Sequence, residues 1–206
     1  MWDGTENQIE AFAADLPQFF LIRHGATPGN LRGCYIGRTD EPLSKEGAAE
    51  LLSRRKTGTY PEVELVFSSP MLRCRQTAEL IYPGKTPIII EAWREIDFGL
   101  FEGKNYEELD GNPQYQKWID SNGAMPFPQG EKRKDFVTRC LAGMREAAAV
   151  CKQYAEQKRW KSPSRAAAVV HGGTIMALMS SVCGGDYYDY RCGNGEVWEL
   201  LLEGMR

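Results

Sequence analysis

"FFLIRHGATPGN" (residues 19–30) runs four apolar residues, Phe19 to Ile22, into Arg23-His24-Gly25. A short apolar run that stops at a charged residue and a glycine reads as a buried strand ending where the backbone opens. This 206-residue chain has only one other histidine, in "AAAVVHGGT" (166–174), again behind an apolar run and again before glycine. Both histidines are thus expected at strand ends.

Two more apolar stretches, Val63 to Phe67 and Pro87 to Ala92, have the same bounded look as Phe19 to Ile22 and Ala166 to Val170. Helical segments lie between them. Ser44 can cap a helix through Arg55, Pro70 can open one through Ile81, Glu131 can begin a long one reaching about Gln157, and Gly173 to Val182 forms another. Strand and helix alternation predicts an α/β fold, a three-layer α/β/α sandwich whose mainly parallel sheet carries helices on both faces. Ligands of such sheets bind beyond the carboxyl ends of the strands, where both histidines are expected.

Residues 103–130, "GKNYEELDGNPQYQKWIDSNGAMPFPQG", are polar and rich in Gly, Pro, Asn and aromatics. They are expected to form a small cap insertion, a short helix plus loop able to cover a site opening. Residues 1–18 read as an N-terminal extension in which Ile9, Phe12, Ala13 and Leu16 recur at helical spacing, either packed on the body or at an oligomer contact. Residues 19–206 are expected to form one domain, and the chain a monomer or homodimer.

The net charge is −3, with both signs mixed along the chain. There is no basic stripe for nucleic acid and no polybasic membrane patch, so an anionic substrate must be held by local arginines. Six cysteines show neither C-x-x-C spacing nor the density of a disulfide scaffold, and reduced core thiols in a cytoplasmic protein are expected. No Lys or Arg precedes Arg23, and no apolar run approaches the roughly 20 residues of a membrane span.

An arginine beside a histidine at a strand end offers a planar fork of donors to a phosphate while the imidazole meets phosphorus. Thr27 and Asn30 follow in the loop and can add neutral donors. Taken alone, the tripeptide also fits a strand-end histidine satisfied by backbone. His171 adds a second imidazole just before a predicted helix whose first amides favour an anion. No Cys or carboxylate falls at ligand spacing beside either histidine, so no metal is expected. "VFSSPMLRCRQTAEL" (66–80) turns a strand into a helix carrying Arg73 and Arg75, which by themselves read as solvated helix charges. "EAWREIDFGLFEG" (91–103) sets Glu95 among Trp93, Ile96, Phe98 and Phe101. A carboxyl group in such surroundings can stay protonated and serve as a general acid, and it can equally be an exposed glutamate paired with Arg94.

In this order, these segments resemble the histidine phosphatase superfamily, also called the phosphoglycerate mutase-like fold, over Phe19 to about Leu202. Arg-His-Gly-x-Thr with Asn30 is similar to the nucleophile motif, "YIGRTDEPLSKEG" (35–47) to the segment after it, "SSPMLRCRQTA" (68–78) to the arginine helix, "REIDFGLFEG" (94–103) to the proton-donor segment, and "VVHGGT" (169–174) to the second-histidine motif. The resemblance implies that His24 is the nucleophile that becomes a phosphohistidine. It implies that Arg23, Arg73 and His171 hold the phosphoryl oxygens, and that Asn30, Thr27, Gly37 and Gly172 contact substrate. Glu95 would protonate the leaving oxygen and then activate water. No cofactor is implied.

Ala26 stands where many relatives have glutamate, which is not a reacting group. The longer insertion of the mutases, with paired arginines and a proline run, is missing, so hydrolysis is expected over isomerisation. "REIDFGLFEGKNYEEL" (94–109), the Trp118 region and "FPQGEKRKDFVTRC" (127–140) look most like α-ribazole phosphatase-like members, which act on a small phosphorylated metabolite by removing the 5′-phosphate of a cobalamin precursor nucleotide. Members with that look also include broad phosphatases of sugar phosphates or phosphoglycerates, and a phosphate-binding module without catalysis is the non-enzyme alternative. Tyr35, Phe98, Tyr106, Tyr115, Trp118 and Phe127 are left between two readings, an aromatic substrate wall or the core of the cap. Glu131 is left between substrate contact and a helix N-terminus.

Overall fold

The computed structural model describes residues 15–157 and 164–201. The helix expected over Ile9 to Leu16 falls largely outside them, although Leu16 itself is buried. Five strands form one sheet: β1 (Gln18–Arg23), β2 (Leu65–Ser68), β3 (Ile88–Ile89), β4 (Arg165–Val170) and β5 (Val197–Leu200), in the order β3-β2-β4-β1-β5. All pairings are parallel except β1 with β5.

Alternation along the central strands divides the core. Phe19 and Leu21 of β1 face one layer with Ala166, Ala168 and Val170 of β4. There they meet α5 (Arg133–Glu156) and α6 (Gly172–Cys183). Phe20, Ile22, Ala167 and Val169 face the other layer, against α2 (Lys45–Lys56) and α3 (Leu72–Ile81). This is the expected three-layer sandwich. Burial of an apolar side chain contributes about 1.5–3 kcal/mol, so a one-residue slip of β1 would exchange the contents of both layers at large cost.

Element ends differ from expectation where a remote group intervenes. The third helix begins at Leu72, not Pro70, and its N-cap residue Met71 has no capping side chain. Instead Asp40 Oδ1, from a distant loop, accepts from the Leu72 amide at 2.7 Å. The long helix begins at Arg133, not Glu131, because the Glu131 amide donates to the Asp97 carbonyl (2.9 Å) and stays outside the helix. The apolar run Pro87 to Ala92 yields only the two-residue β3 before a 3₁₀ turn at Glu91–Trp93.

Among the described residues, the antiparallel edge strand β5 and the one-turn helix α1 (Pro28–Leu31) were not expected. Within 103–130 the chain forms turns and α4 (Pro113–Asp120). All six cysteines are free, and four of them are buried. Among the described residues, no helix is long and apolar enough to cross a membrane.

Candidate active site

β1 and β4 run side by side, and Arg23 pairs with Val170 at their carboxyl ends. That register brings His24 and His171, each one residue beyond its strand, together with ring centroids 5.2 Å apart. Both imidazoles are buried. His24 Nδ1 lies 2.7 Å from the Gly25 carbonyl, which can only accept, so Nδ1 carries the proton and Nε2 keeps its lone pair. Burial, then the charges of Arg73 and Arg23, hold the His24 pKa well below the usual histidine range. The ring is therefore neutral at pH 7. His171 is likewise held low by burial, Arg73 and His24, and its Nε2 is 2.8 Å from the Ser69 hydroxyl.

Two guanidinium groups converge here, each with work left to do. Arg23 donates from Nη1 to the Cys192 carbonyl (2.6 Å), and Arg73 from Nη1 to the Thr39 carbonyl (2.8 Å) and from Nη2 to the Gly37 carbonyl (3.0 Å). In both, Nε is buried without a partner, and among the described residues neither forms an ion pair. Arg73 is fully buried and Arg23 partly so, and a buried, unpaired cation with an orphan donor is costly unless an anion completes it. Arg73 thus spends both Nη groups on backbone and keeps Nε, whereas Arg23 commits only Nη1 and keeps Nη2 and Nε.

Asn30 is oriented by its surroundings. Its Oδ1 accepts from the Thr27 amide (3.3 Å) and from Asn194 Nδ2 (3.2 Å), which leaves its own Nδ2 to donate. Thr27 is buried and does not line the cleft. Its hydroxyl accepts from the Asn30 amide and closes a capping box on α1, which leaves its own proton to donate. Gly37 likewise does not line the cleft. Its amide donates to the Glu102 carboxylate (3.1 Å), and a Cβ there would lie 2.0 Å from the Ile96 carbonyl oxygen, so close packing explains the glycine.

Glu95 lies against the start of α6. Its Oε1 accepts from the Ile96 amide (2.9 Å) and its Oε2 from the Gly173 amide (3.2 Å). Burial pushes its carboxyl pKa above the ordinary value, against the lowering effect of those amides and of Arg73 and Arg23. A Cβ on Gly173 would lie 2.4 Å from Glu95 Oε1, so only glycine leaves room for the carboxyl.

Arg23, His24, Asn30, Glu95 and Gly172 line one cleft of about 380 Å³, with Tyr35, Phe98 and Arg191 at its mouth. Arg73 and His171 lie buried behind it. Of the six aromatics, Tyr35 and Phe98 reach the cleft. Tyr115, Trp118 and Phe127 stack among themselves in the cap, and Tyr106 is 66% exposed. A larger groove, about 930 Å³, opens near Arg165 at the opposite end of β4 and contains none of these groups. Among the described residues, no group of three His, Cys, Asp or Glu side chains could hold a metal ion.

Several contributors escaped sequence reading. Ser69 was visible only as part of a turn. The loop 192–196 supplies the Cys192 carbonyl to Arg23, and Asn194 Nδ2 to the His24 carbonyl (3.0 Å) and to Asn30. Its one sequence signal is the Gly-Asn-Gly turn preceding a final apolar run.

A family model described as histidine phosphatase superfamily (branch 1) matches residues 19–204. The chain is 30% identical to a 2,3-bisphosphoglycerate-dependent phosphoglycerate mutase of Rhizobium etli, over 79% of this chain and 78% of that one. It is 29% identical to the "uncharacterized phosphatase PhoE" of Bacillus subtilis, over 81% and 77%. A solved phosphoglycerate mutase from Thermus thermophilus superposes with TM-score 0.63 at 29% identity, covering 90% of this chain and 99% of that one. A "putative alpha-ribazole-5'-P phosphatase" from Escherichia coli superposes with TM-score 0.69 over 89% and 94%; at 21% identity it speaks to fold alone.

Proposed function

The chain belongs to the histidine phosphatase superfamily, a family of phosphatase and mutase enzymes, and on that premise we propose that it is a metal-independent phosphomonoesterase working through a phosphohistidine at His24. One observation carries the reading: His24 is buried and neutral with Nε2 unprotonated, next to two buried guanidinium Nε groups that have no partner.

In the proposed first step, Nε2 attacks phosphorus, the P–N bond forms as the ester P–O bond breaks, and Glu95 gives its proton to the departing oxygen. Arg23, Arg73, His171 and the Asn30 amide face the charge spread over the phosphoryl oxygens. In the second step, Glu95 takes a proton from water, whose oxygen attacks phosphorus and releases orthophosphate and neutral His24. The cap segment 103–130 would shield the cleft mouth through the Tyr35 and Phe98 contacts.

For the substrate we propose a small phosphorylated metabolite, with α-ribazole 5′-phosphate to be tested first, because Tyr35 and Phe98 at the mouth suit a base-bearing group. A second reading, a broad sugar-phosphate or phosphoglycerate phosphatase or a phosphoglycerate mutase, is favoured by Arg191, a rim cation with no carboxylate partner among the described residues, and by the Rhizobium etli relative.

The deciding experiment measures phosphate release from α-ribazole 5′-phosphate, fructose phosphates and 3-phosphoglycerate with a chelator present, and isolates the labelled protein by acid-free quench. Turnover lost in His24→Ala together with labelled histidine supports the reading. Full activity of His24→Ala refutes it. Isomerised phosphoglycerate without net phosphate release points to the mutase.

A further inference from the structure

The segment that carries Glu95 hangs on one side chain the proposed chemistry does not use. Arg139, on α5, donates from Nη1 to the carbonyls of Ala92 (2.8 Å) and Arg94 (2.6 Å) and from Nη2 to that of Glu95 (3.0 Å). Its Nε and Nη2 also form a two-point pair with Glu131, at 2.7 and 2.8 Å. Glu131 in turn accepts from the Asp97 amide and donates its own amide to the Asp97 carbonyl, so it grips the segment just beyond the carboxyl group. The Arg139 guanidinium packs 4.7 Å from the centre of the Phe136 ring, and the same helix holds the segment a second time where Trp93 Nε1 donates to the Cys140 carbonyl (3.2 Å).

We infer that Arg139, braced by Glu131, is a positioning residue that aims the Glu95 carboxyl group at the leaving oxygen. Three carbonyls from residues 92–95 facing one cation curl the backbone around it, a shape that neutral contacts would not hold because the carbonyl dipoles repel one another. Only a planar guanidinium with five donors can serve three carbonyls and a carboxylate at once; an ammonium has three donors from a single point. Glu131, left open between substrate and helix terminus, belongs to this brace, and its side chain does not line the cleft.

The inference rests on the proposed role of Glu95, and the test separates the two. A misaimed general acid harms esters whose alcohol leaves poorly and largely spares those whose leaving group needs no proton. The ratio of kcat/KM for glycerol 3-phosphate to that for p-nitrophenyl phosphate therefore reports the aim of the acid, because kcat/KM isolates transfer to His24 from its later hydrolysis. Glu95→Gln sets the scale. Arg139→Met is expected to lower this ratio about tenfold or more, in the direction of Glu95→Gln, since small misplacements of reacting groups cost up to about 100-fold. Arg139→Lys is expected to recover part of the loss. Glu131→Gln, which keeps the shape and removes the charge, should move the ratio the same way and keeps the test valid if Arg139→Met fails to fold. An unchanged ratio in both Arg139→Met and Glu131→Gln, or equal losses on both esters, overturns the inference while leaving Glu95 in place. An unchanged ratio in Glu95→Gln overturns the proton-donor reading itself, and this inference with it.

Discussion

The His24 and His171 rings meet edge to face at 5.2 Å, and each has one nitrogen already taken, by the Gly25 carbonyl and the Ser69 hydroxyl. Two imidazoles this close, beside Arg23 and Arg73, cannot both accept protons, and burial opposes even one. A neutral pair is what the proposed mechanism requires, with one ring to attack and the other to donate.

A pH profile follows from the directions of these shifts. Transfer to His24 needs His24 unprotonated and Glu95 protonated. Because the His24 pKa is lowered, the acid limb of kcat/KM should lie below the usual histidine value of 6.5. Because the Glu95 pKa is raised, activity should persist above 4.5 and fall as that carboxyl ionises, which favours an acidic optimum. Glu95→Gln should flatten the alkaline limb and leave the acid limb in place. An acid limb at or above 6.5 would contradict the neutral, buried nucleophile.

Orthophosphate should stabilise the fold by occupying the orphan Nε donors of Arg23 and Arg73. At a concentration 100 times its Kd, a one-site ligand adds about 2.7 kcal/mol. Thermal melts with and without phosphate test this in the wild type and in Arg73→Lys, which keeps the charge and loses the fork. The shift should shrink markedly in the variant, and equal shifts in both would remove Arg73 from the anion site.

Asn194 orients Asn30 and fixes the His24 carbonyl. Removing its amide in Asn194→Ala lets the Asn30 amide turn over, presenting oxygen where a donor is needed. We expect kcat/KM to fall about tenfold or more, the cost of a lost donor plus misalignment. Asn194→Asp, which has no N–H to give, should be no better. Near wild-type kinetics in both would show that Asn30 holds its orientation unaided.

Gly173→Ala tests the room left for the proton donor. Its Cβ would come within 2.4 Å of Glu95 Oε1, so the carboxyl must shift. Alanine suits a helix, and stability should change little, whereas turnover of alkyl phosphates should drop about 100-fold. Unimpaired turnover would mean that Glu95 works from another rotamer.

The two central strands, both histidines and the helix–strand alternation were legible because apolar periodicity and residue type are local signals. Ser44 capped its helix as the sequence suggested, since a cap depends on neighbours a few residues away. What stayed hidden was held by partners remote in sequence. Asp40 begins a helix at Leu72, Glu131 is drawn from its helix to Arg139 and Asp97, and the carbonyls of Gly37 and Thr39 claim Arg73. Thr27 and Gly37, both expected at the substrate, each carry a backbone duty that composition does not reveal. The aromatic residues split between cleft and cap for the same reason: only the fold decides which ring faces water.

β1, which ends just before His24, pairs with partners made long after it. Gln18 meets Arg165, 147 positions on, and Glu199, 181 positions on. During synthesis on the ribosome β1 emerges with both of its apolar faces uncovered, and Arg23 waits for a carbonyl in the 192–196 loop. Such long-range closure is slow and leaves the nascent chain dependent on protection from association. A polypeptide stalled before residue 192 would therefore lack the Cys192 carbonyl that holds Arg23 and the Asn194 amide that holds Asn30 and the His24 carbonyl, so that the alignment of these groups arrives only with the last strand.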